Sequence, residues 1–131
     1  MRDLESIADC RALVERFYDA ARRDPLLGPV FAARLSRVWP DHLETMTRFW
    51  GAVLFAQPLY HGSPIERHQG LPIEGAHFRR WLDLWTEAVD GLFSGARAEH
   101  AKRGAARMAE RMAKSVSGFA SNTTTITPAR Q

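Results

Sequence analysis

The chain has one cysteine, Cys10, among its 131 residues. No internal disulfide can form, and no zinc site of paired cysteines can be built. Long apolar runs are missing too. The longest, around Phe49 to Leu59, is interrupted by Gln57 and Pro58 and falls well short of a bilayer span. The opening Met1-Arg2-Asp3-Leu4-Glu5 lacks the apolar core of a signal peptide, so a cytoplasmic protein that does not enter the membrane is expected. Strand-like alternation does not extend over any useful length, and no segment repeats. HExxH, a glycine-rich phosphate loop and GxSxG are all absent. The formal charge of +3 is too small to point to nucleic acid, although residues 97–114 are locally basic.

What is present is helical periodicity, punctuated by a few glycines and prolines. A first helix is predicted to begin near Ser6, with Asp9 as an imperfect capping partner. Cys10, Leu13, Val14, Phe17, Tyr18 and Ala21 share one face of it. Asp24-Pro25 ends it, because a residue before proline avoids helical backbone. Leu26 to Phe31, with Gly28-Pro29, reads as a corner or short helical turn. A second long helix starts near Pro40 and Asp41 and turns His42, Met46, Phe49, Trp50, Val53 and Leu54 inward, until Gln57-Pro58.

A short helix then carries its own start signals: Ser63 at the N-cap, Pro64 at the first turn and Glu66 placed to close a capping box. Gly70 and Pro72 end it, which leaves His68 at the end of a short, doubly fixed segment. The third long helix spans about 74–92, with Phe78, Trp81, Leu82, Trp85, Val89 and Leu92 inward. Phe93-Ser94-Gly95 closes it. The fourth spans about 97–119, with Ala101, Ala105, Met108, Met112 and Val116 inward; its small residues suit close helix approach. The expected organisation is one all-α domain over 1–119 and a polar, threonine-rich disordered tail over 120–131.

Five histidines are available for chemistry: His42, His61, His68, His77 and His100. Cys10 lies in an apolar stripe, where a thiol is inert. On spacing alone, His68 is more readily a surface or capping residue than a ligand, and Tyr18 and Trp81 are by default core residues.

The ordered set Phe17-Tyr18, then Asp24-Pro25-Leu26-Leu27-Gly28-Pro29-Val30-Phe31, Trp39 with His42, Phe49-Trp50-Gly51, Tyr60-His61-Gly62-Ser63-Pro64, His68, Leu71-Pro72 and His77-Phe78-Arg79-Arg80-Trp81-Leu82 resembles the truncated haemoglobins, specifically their third group. The likeness covers roughly 6–118. It implies a two-over-two helical sandwich around haem b. His68 matches the proximal iron ligand, Tyr18 the distal tyrosine, Trp81 the facing tryptophan, and His42 the early distal position, with Met46 one turn further along that helix. Phe31 matches the phenylalanine packed on the porphyrin. Arg67, Arg79, Arg80 and His77 are candidates for the haem propionates, each with a surface or capping role as its rival. Whether His42 turns to the ligand or outward as a gate stays open.

The chemistry of these residue types agrees with that implication. Globin iron takes one histidine nitrogen, and distal polarity decides how the iron then reacts. A tyrosine hydroxyl and an indole N–H are donors suited to a gas that gains negative charge on binding. Dioxygen, nitric oxide and carbon monoxide are the partners implied. The competing functions are a gas-binding globin, a nitric oxide dioxygenase or peroxidase-like enzyme fed by an external electron donor, and a helical interaction module using the basic last helix. The first is preferred, as a monomer or weak dimer without nucleic-acid or membrane partners.

Overall fold

The computed structural model describes residues 1–34, 39–56 and 75–124, and these form five helices and no strand. They are α1 (Ile7–Arg23), α2 (Gly28–Arg34), α3 (Trp39–Phe55), α4 (Gly75–Leu92) and α5 (Ala96–Thr124). The expected short helix at 63–70, with His61, Arg67 and His68, lies outside the described residues.

The α1 stripe is as the spacing predicts: Cys10, Leu13, Val14, Phe17, Tyr18 and Ala21 are all buried. Its start differs from a full capping box. Ser6 has the extended backbone of an N-cap, but its hydroxyl makes no capping bond. Asp9 does the work from inside the first turn. Its carboxylate accepts the Glu5 N–H at 2.7 Å and takes both terminal nitrogens of Arg2, at 2.7 and 2.8 Å. At the far end Asp24 turns extended, with ψ 134, as the following proline requires.

Two adjacent stripes on α3 correct the single one expected. Leu43, Thr47, Trp50 and Leu54 are buried in the core, while His42, Met46, Phe49 and Val53 are only half-buried. Threonine reads as polar in sequence, which hid the first stripe. Here the Thr47 hydroxyl donates to the Leu43 carbonyl at 2.8 Å, so its one polar group enters the core satisfied. On α4 the buried face is Phe78, Leu84, Trp85, Ala88 and Val89, whereas Trp81, Leu82 and Leu92 are half-buried.

α1 packs on α3 and on α4, α4 on α5, and α3 on α5. That closed circuit makes two layers of two helices, with α2 attached to α1. Alanines at 98, 101, 105 and 109 let α5 approach closely, and the Trp85 indole N–H donates to the Ala101 carbonyl at 3.1 Å across the α4–α5 contact. The core stacks Trp50 on Trp85, with centroids 4.4 Å apart and planes 22° apart. α5 continues to Thr124, five residues beyond the expected end at Phe119.

The N-terminal segment closes one end of the circuit. Asp3 accepts the Arg97 and Ala98 N–H groups, each at 2.9 Å, and so caps α5 from outside the helix. The Ser94 N–H donates to the Arg2 carbonyl at 3.0 Å. Between them Gly95 sits at φ +140, and a Cβ there would stand 2.6 Å from the Asp3 side chain. Both facts demand glycine. Among the described residues, no helix is long and apolar enough to cross a membrane.

Candidate functional site

Residues widely spaced in the sequence converge at the other end, where α1, α2, α3 and α4 meet. Tyr18 is the centre. Its ring meets Phe31 of α2 edge-on at 5.5 Å and His42 of α3 edge-on at 5.2 Å. Its hydroxyl lies 3.1 Å from His42 Nε2. The imidazole is therefore turned towards the phenol. Burial pushes the Tyr18 phenol well above its ordinary value, so it stays protonated throughout the physiological range.

Phe17, its neighbour in sequence, meets the Tyr18 ring edge-on at 4.7 Å and links the site to the tryptophans. It meets Trp81 edge-on at 5.7 Å and Trp85 edge-on at 5.4 Å. Trp81 and Trp85 stack with centroids 6.2 Å apart. Their polar ends differ. Trp85 gives its N–H to Ala101, whereas the Trp81 N–H has no partner among the described residues. Trp81 is also half-buried, together with Phe31, Met46, Phe49, Val53 and Leu82.

The structure thus brings Tyr18, His42 and Phe31 into direct contact and joins Trp81 to them through Phe17. Met46 lies one turn beyond His42 on the same half-buried stripe of α3. His77 is half-buried in the first turn of α4. Among the propionate candidates, Arg80 gives its Nε–H to the buried Asp24 carboxylate at 2.7 Å. Arg79 is exposed. Cys10 is fully buried and its thiol is pushed up to about 11, chiefly by desolvation, in keeping with an inert core residue.

Two contributors were not singled out from the sequence. Phe17 was one more apolar position on α1, and only the fold shows it touching three aromatic partners. Asp24 read as a helix stop, although an aspartate before proline followed by a turn is also a signal for side-chain capping of the next backbone N–H groups.

The donor set fits haem. No three His, Cys, Asp or Glu side chains converge on a metal position among the described residues, and a porphyrin-held iron needs only one axial imidazole. What it needs besides is a wide apolar wall and a few polar groups. The half-buried Phe31, Met46 and Trp81 offer apolar surface on the side of Tyr18 and His42; the Tyr18–His42 pair and the Trp81 N–H offer the polar groups.

The chain is similar to known globins. The profile of the family described as Bacterial-like globin matches residues 5–117. The group 3 truncated hemoglobin ctb of Campylobacter jejuni is 32% identical over 94 residues, covering 69% of this chain and 72% of that protein. The group 2 truncated hemoglobin YjbI of Bacillus subtilis is 31% identical over 83 residues, covering 60% of each. In three dimensions, the crystal structure of the group III truncated hemoglobin from Campylobacter jejuni superposes with a TM-score of 0.80 at 24% identity, covering 88% of this chain and 95% of that one.

Proposed function

The chain belongs to the bacterial-like globin family, and within it to the group III truncated haemoglobins, and from that premise we propose that it binds dioxygen and other diatomic gases at a haem b held by His68. Phe31, Met46 and Trp81 contribute to the wall around the macrocycle, and Arg67 and His77 meet its propionates. Tyr18, His42 and Trp81 face the gas. The observation that carries this reading is the 3.1 Å contact between the Tyr18 hydroxyl and His42 Nε2, set beside a half-buried apolar wall.

Haem, when bound, would supply an iron that takes an imidazole from the chain and a small gas. The chain's own residues decide how that ligand is received. The protonated Tyr18 and His42 share one hydrogen bond, and its direction depends on the imidazole tautomer. With the proton on Nε2, His42 donates to the phenol oxygen and the phenol O–H points away from the imidazole. With Nε2 bare, the phenol donates to His42, and Trp81 Nε1 becomes the main donor on the ligand side. The pair therefore sets how many donors a gas meets.

The same pair favours a second reading. A phenol and an imidazole in hydrogen-bond contact set two groups capable of proton donation side by side, which suits redox turnover as a nitric oxide dioxygenase or peroxidase-like catalyst with an external electron donor. Nitric oxide consumption in the presence of dioxygen and a reductase separates turnover from binding alone.

The test of the first reading is the visible spectrum of the haem-loaded protein in its ferric, ferrous and carbon monoxide forms. His68→Ala is expected to lose stable haem, or to keep it only with added imidazole. His61→Ala, His77→Ala and His100→Ala are expected to keep a five-coordinate ferrous spectrum. A His68→Ala protein with the parent spectrum would overturn the assignment of the ligand.

A further inference from the structure

The roles proposed above leave out Asp24, yet it is among the most heavily engaged side chains described. A carboxylate before a proline ordinarily sits at a solvated turn. Here the Asp24 side chain is only 3% exposed. One oxygen, Oδ2, accepts the N–H groups of Leu26 and Leu27, each at 3.0 Å. The other, Oδ1, accepts Arg80 Nε–H at 2.7 Å. The backbone of the same residue is used on both sides. Its N–H donates to the Ala21 carbonyl at 3.2 Å, and its carbonyl accepts the Gly28 N–H at 2.8 Å. The corner is also tightly closed, since a Cβ on Gly28 would stand 2.7 Å from the Arg22 carbonyl oxygen. Burial opposes ionisation of Asp24, but Arg80 and the two backbone N–H groups outweigh it and hold the carboxyl below its ordinary value.

Three elements meet at this one residue: the end of α1, the start of α2 and the first half of α4. They carry Tyr18, Phe31 and Trp81 respectively. Arg80 is the residue immediately before Trp81, and Leu27 lies one turn before Phe31, whose N–H donates to the Leu27 carbonyl at 3.2 Å. Of these three aromatics, Tyr18 and Phe31 touch directly and Trp81 reaches α1 through Phe17. A charge-assisted bond at 2.7 Å with its carboxylate out of water is strong enough to fix a register between helices. We propose that Asp24 and Arg80 are positioning residues for the gas site: their ion pair sets where Trp81 and Phe31 stand relative to Tyr18.

For what Tyr18 and Trp81 face, this rests on the globin reading. Its structural half does not. The test uses Arg80→Ala, which removes the more exposed partner of the pair, 42% against 3%, and Asp24→Asn as the second variant. Without haem, the indole Nε1–H signals of Trp81 and Trp85 are followed by nitrogen-15 NMR. With haem, the C–O stretching band of the carbon monoxide complex and the dioxygen dissociation rate are measured. In Arg80→Ala the Trp81 signal is expected to shift or broaden while that of Trp85 stays in place. The C–O band should shift or split, and dioxygen dissociation should change by roughly two- to tenfold. Asp24→Asn should move the same readouts in the same sense. A lower melting temperature with an unmoved Trp81 signal and an unmoved C–O band would reduce the pair to a structural tie and overturn the proposal. If the parent protein took up no haem, the globin reading would fail by itself, and the NMR comparison would still decide the positioning claim.

Discussion

Trp85 and Trp81 stand one turn apart on α4 with their rings within 5° of parallel, yet they belong to differently built halves of the molecule. Trp85 is 1% exposed, stacked on Trp50 and hydrogen-bonded to Ala101. Around it the fold is closed. Leu4 is fully buried, Asp3 caps α5, and Asp9 ties Arg2 to the start of α1. Trp81 is half-buried, and its N–H has no partner among the described residues. Trp81 packs against buried rings, Phe17 and Trp85, and the polar groups on that side include the Tyr18–His42 pair. The contrast teaches that Trp85 is fixed by packing and a hydrogen bond, while Trp81 keeps apolar area and an indole N–H of the kind the proposed gas site calls for.

The most severe test of this division is Trp85→Ala. It empties the largest fully buried side chain and frees the Ala101 carbonyl. The expected cost is about 3 to 5 kcal/mol, enough to lower the melting temperature by roughly 10 °C or more. Thermal unfolding by circular dichroism checks it. A loss under about 1 kcal/mol would show that the closed half does not carry the stability.

Acid gives a smaller effect in the same half. Arg2, by hydrogen bond and charge together, holds the Asp9 carboxyl down at about 2, against an ordinary value near 4. A carboxyl depressed by folding contributes its stability above the ordinary value and loses it as the pH falls through the folded one. Asp9 should therefore add about 1 to 2 kcal/mol at neutral pH, and that share should vanish between about pH 4 and pH 2. Asp9→Asn should lose it at pH 7 and show a shallower acid slope. Urea midpoints at pH 7, 4 and 2.5 measure both, and an unchanged slope would mean the Arg2 pair is not formed in solution. Asp3 and Asp24, held low by backbone N–H groups and arginines despite their burial, keep the rest of the slope.

The two halves were unequally legible in the sequence. Spacing found the four long helices and the buried stripe of α1, because apolar residues on a helix face repeat locally, whereas α2 read only as a corner or short helical turn. The resemblance carried Tyr18, His42, Phe31 and Trp81, which the fold gathers at one end. What escaped were contacts between residues far apart that read as ordinary singly. Asp3 reaches α5 across more than ninety positions, Asp24 reaches Arg80 across fifty-six, and neither carboxylate has a local pattern that marks it as buried. Thr47 escaped for another reason: its hydroxyl is satisfied by its own helix, so a polar letter hides a core position. The side to which His42 turns depends on how α3 is rotated against α1, a tertiary quantity that periodicity does not contain.

The smallest effect on stability, and the sharpest test of the contrast, is Trp81→Phe. The side chain is half-buried, its edge contact with Phe17 survives in a phenylalanine, and no hydrogen bond to the described residues is lost. The expected change in stability is therefore under about 1 kcal/mol. Trp85→Phe, by contrast, leaves the Ala101 carbonyl short of a donor in the core and should cost roughly 1 to 3 kcal/mol. Ligand kinetics should reverse that order. A hydrogen bond from Trp81 to a gas carrying partial negative charge in a dry pocket contributes about 1.5 to 3 kcal/mol. Its loss should speed dioxygen dissociation by about one to two powers of ten, since such differences appear mainly in the off-rate. Carbon monoxide is much less polar when bound, so its off-rate should change far less. Trp85→Phe should leave both rates near those of the parent. Stopped-flow displacement of each gas from the two variants measures this. Equal acceleration of both gases in Trp81→Phe would point to a steric role for the ring. If Trp81→Phe left dioxygen dissociation unchanged, the indole would not face the ligand, and the two tryptophans would differ only in depth.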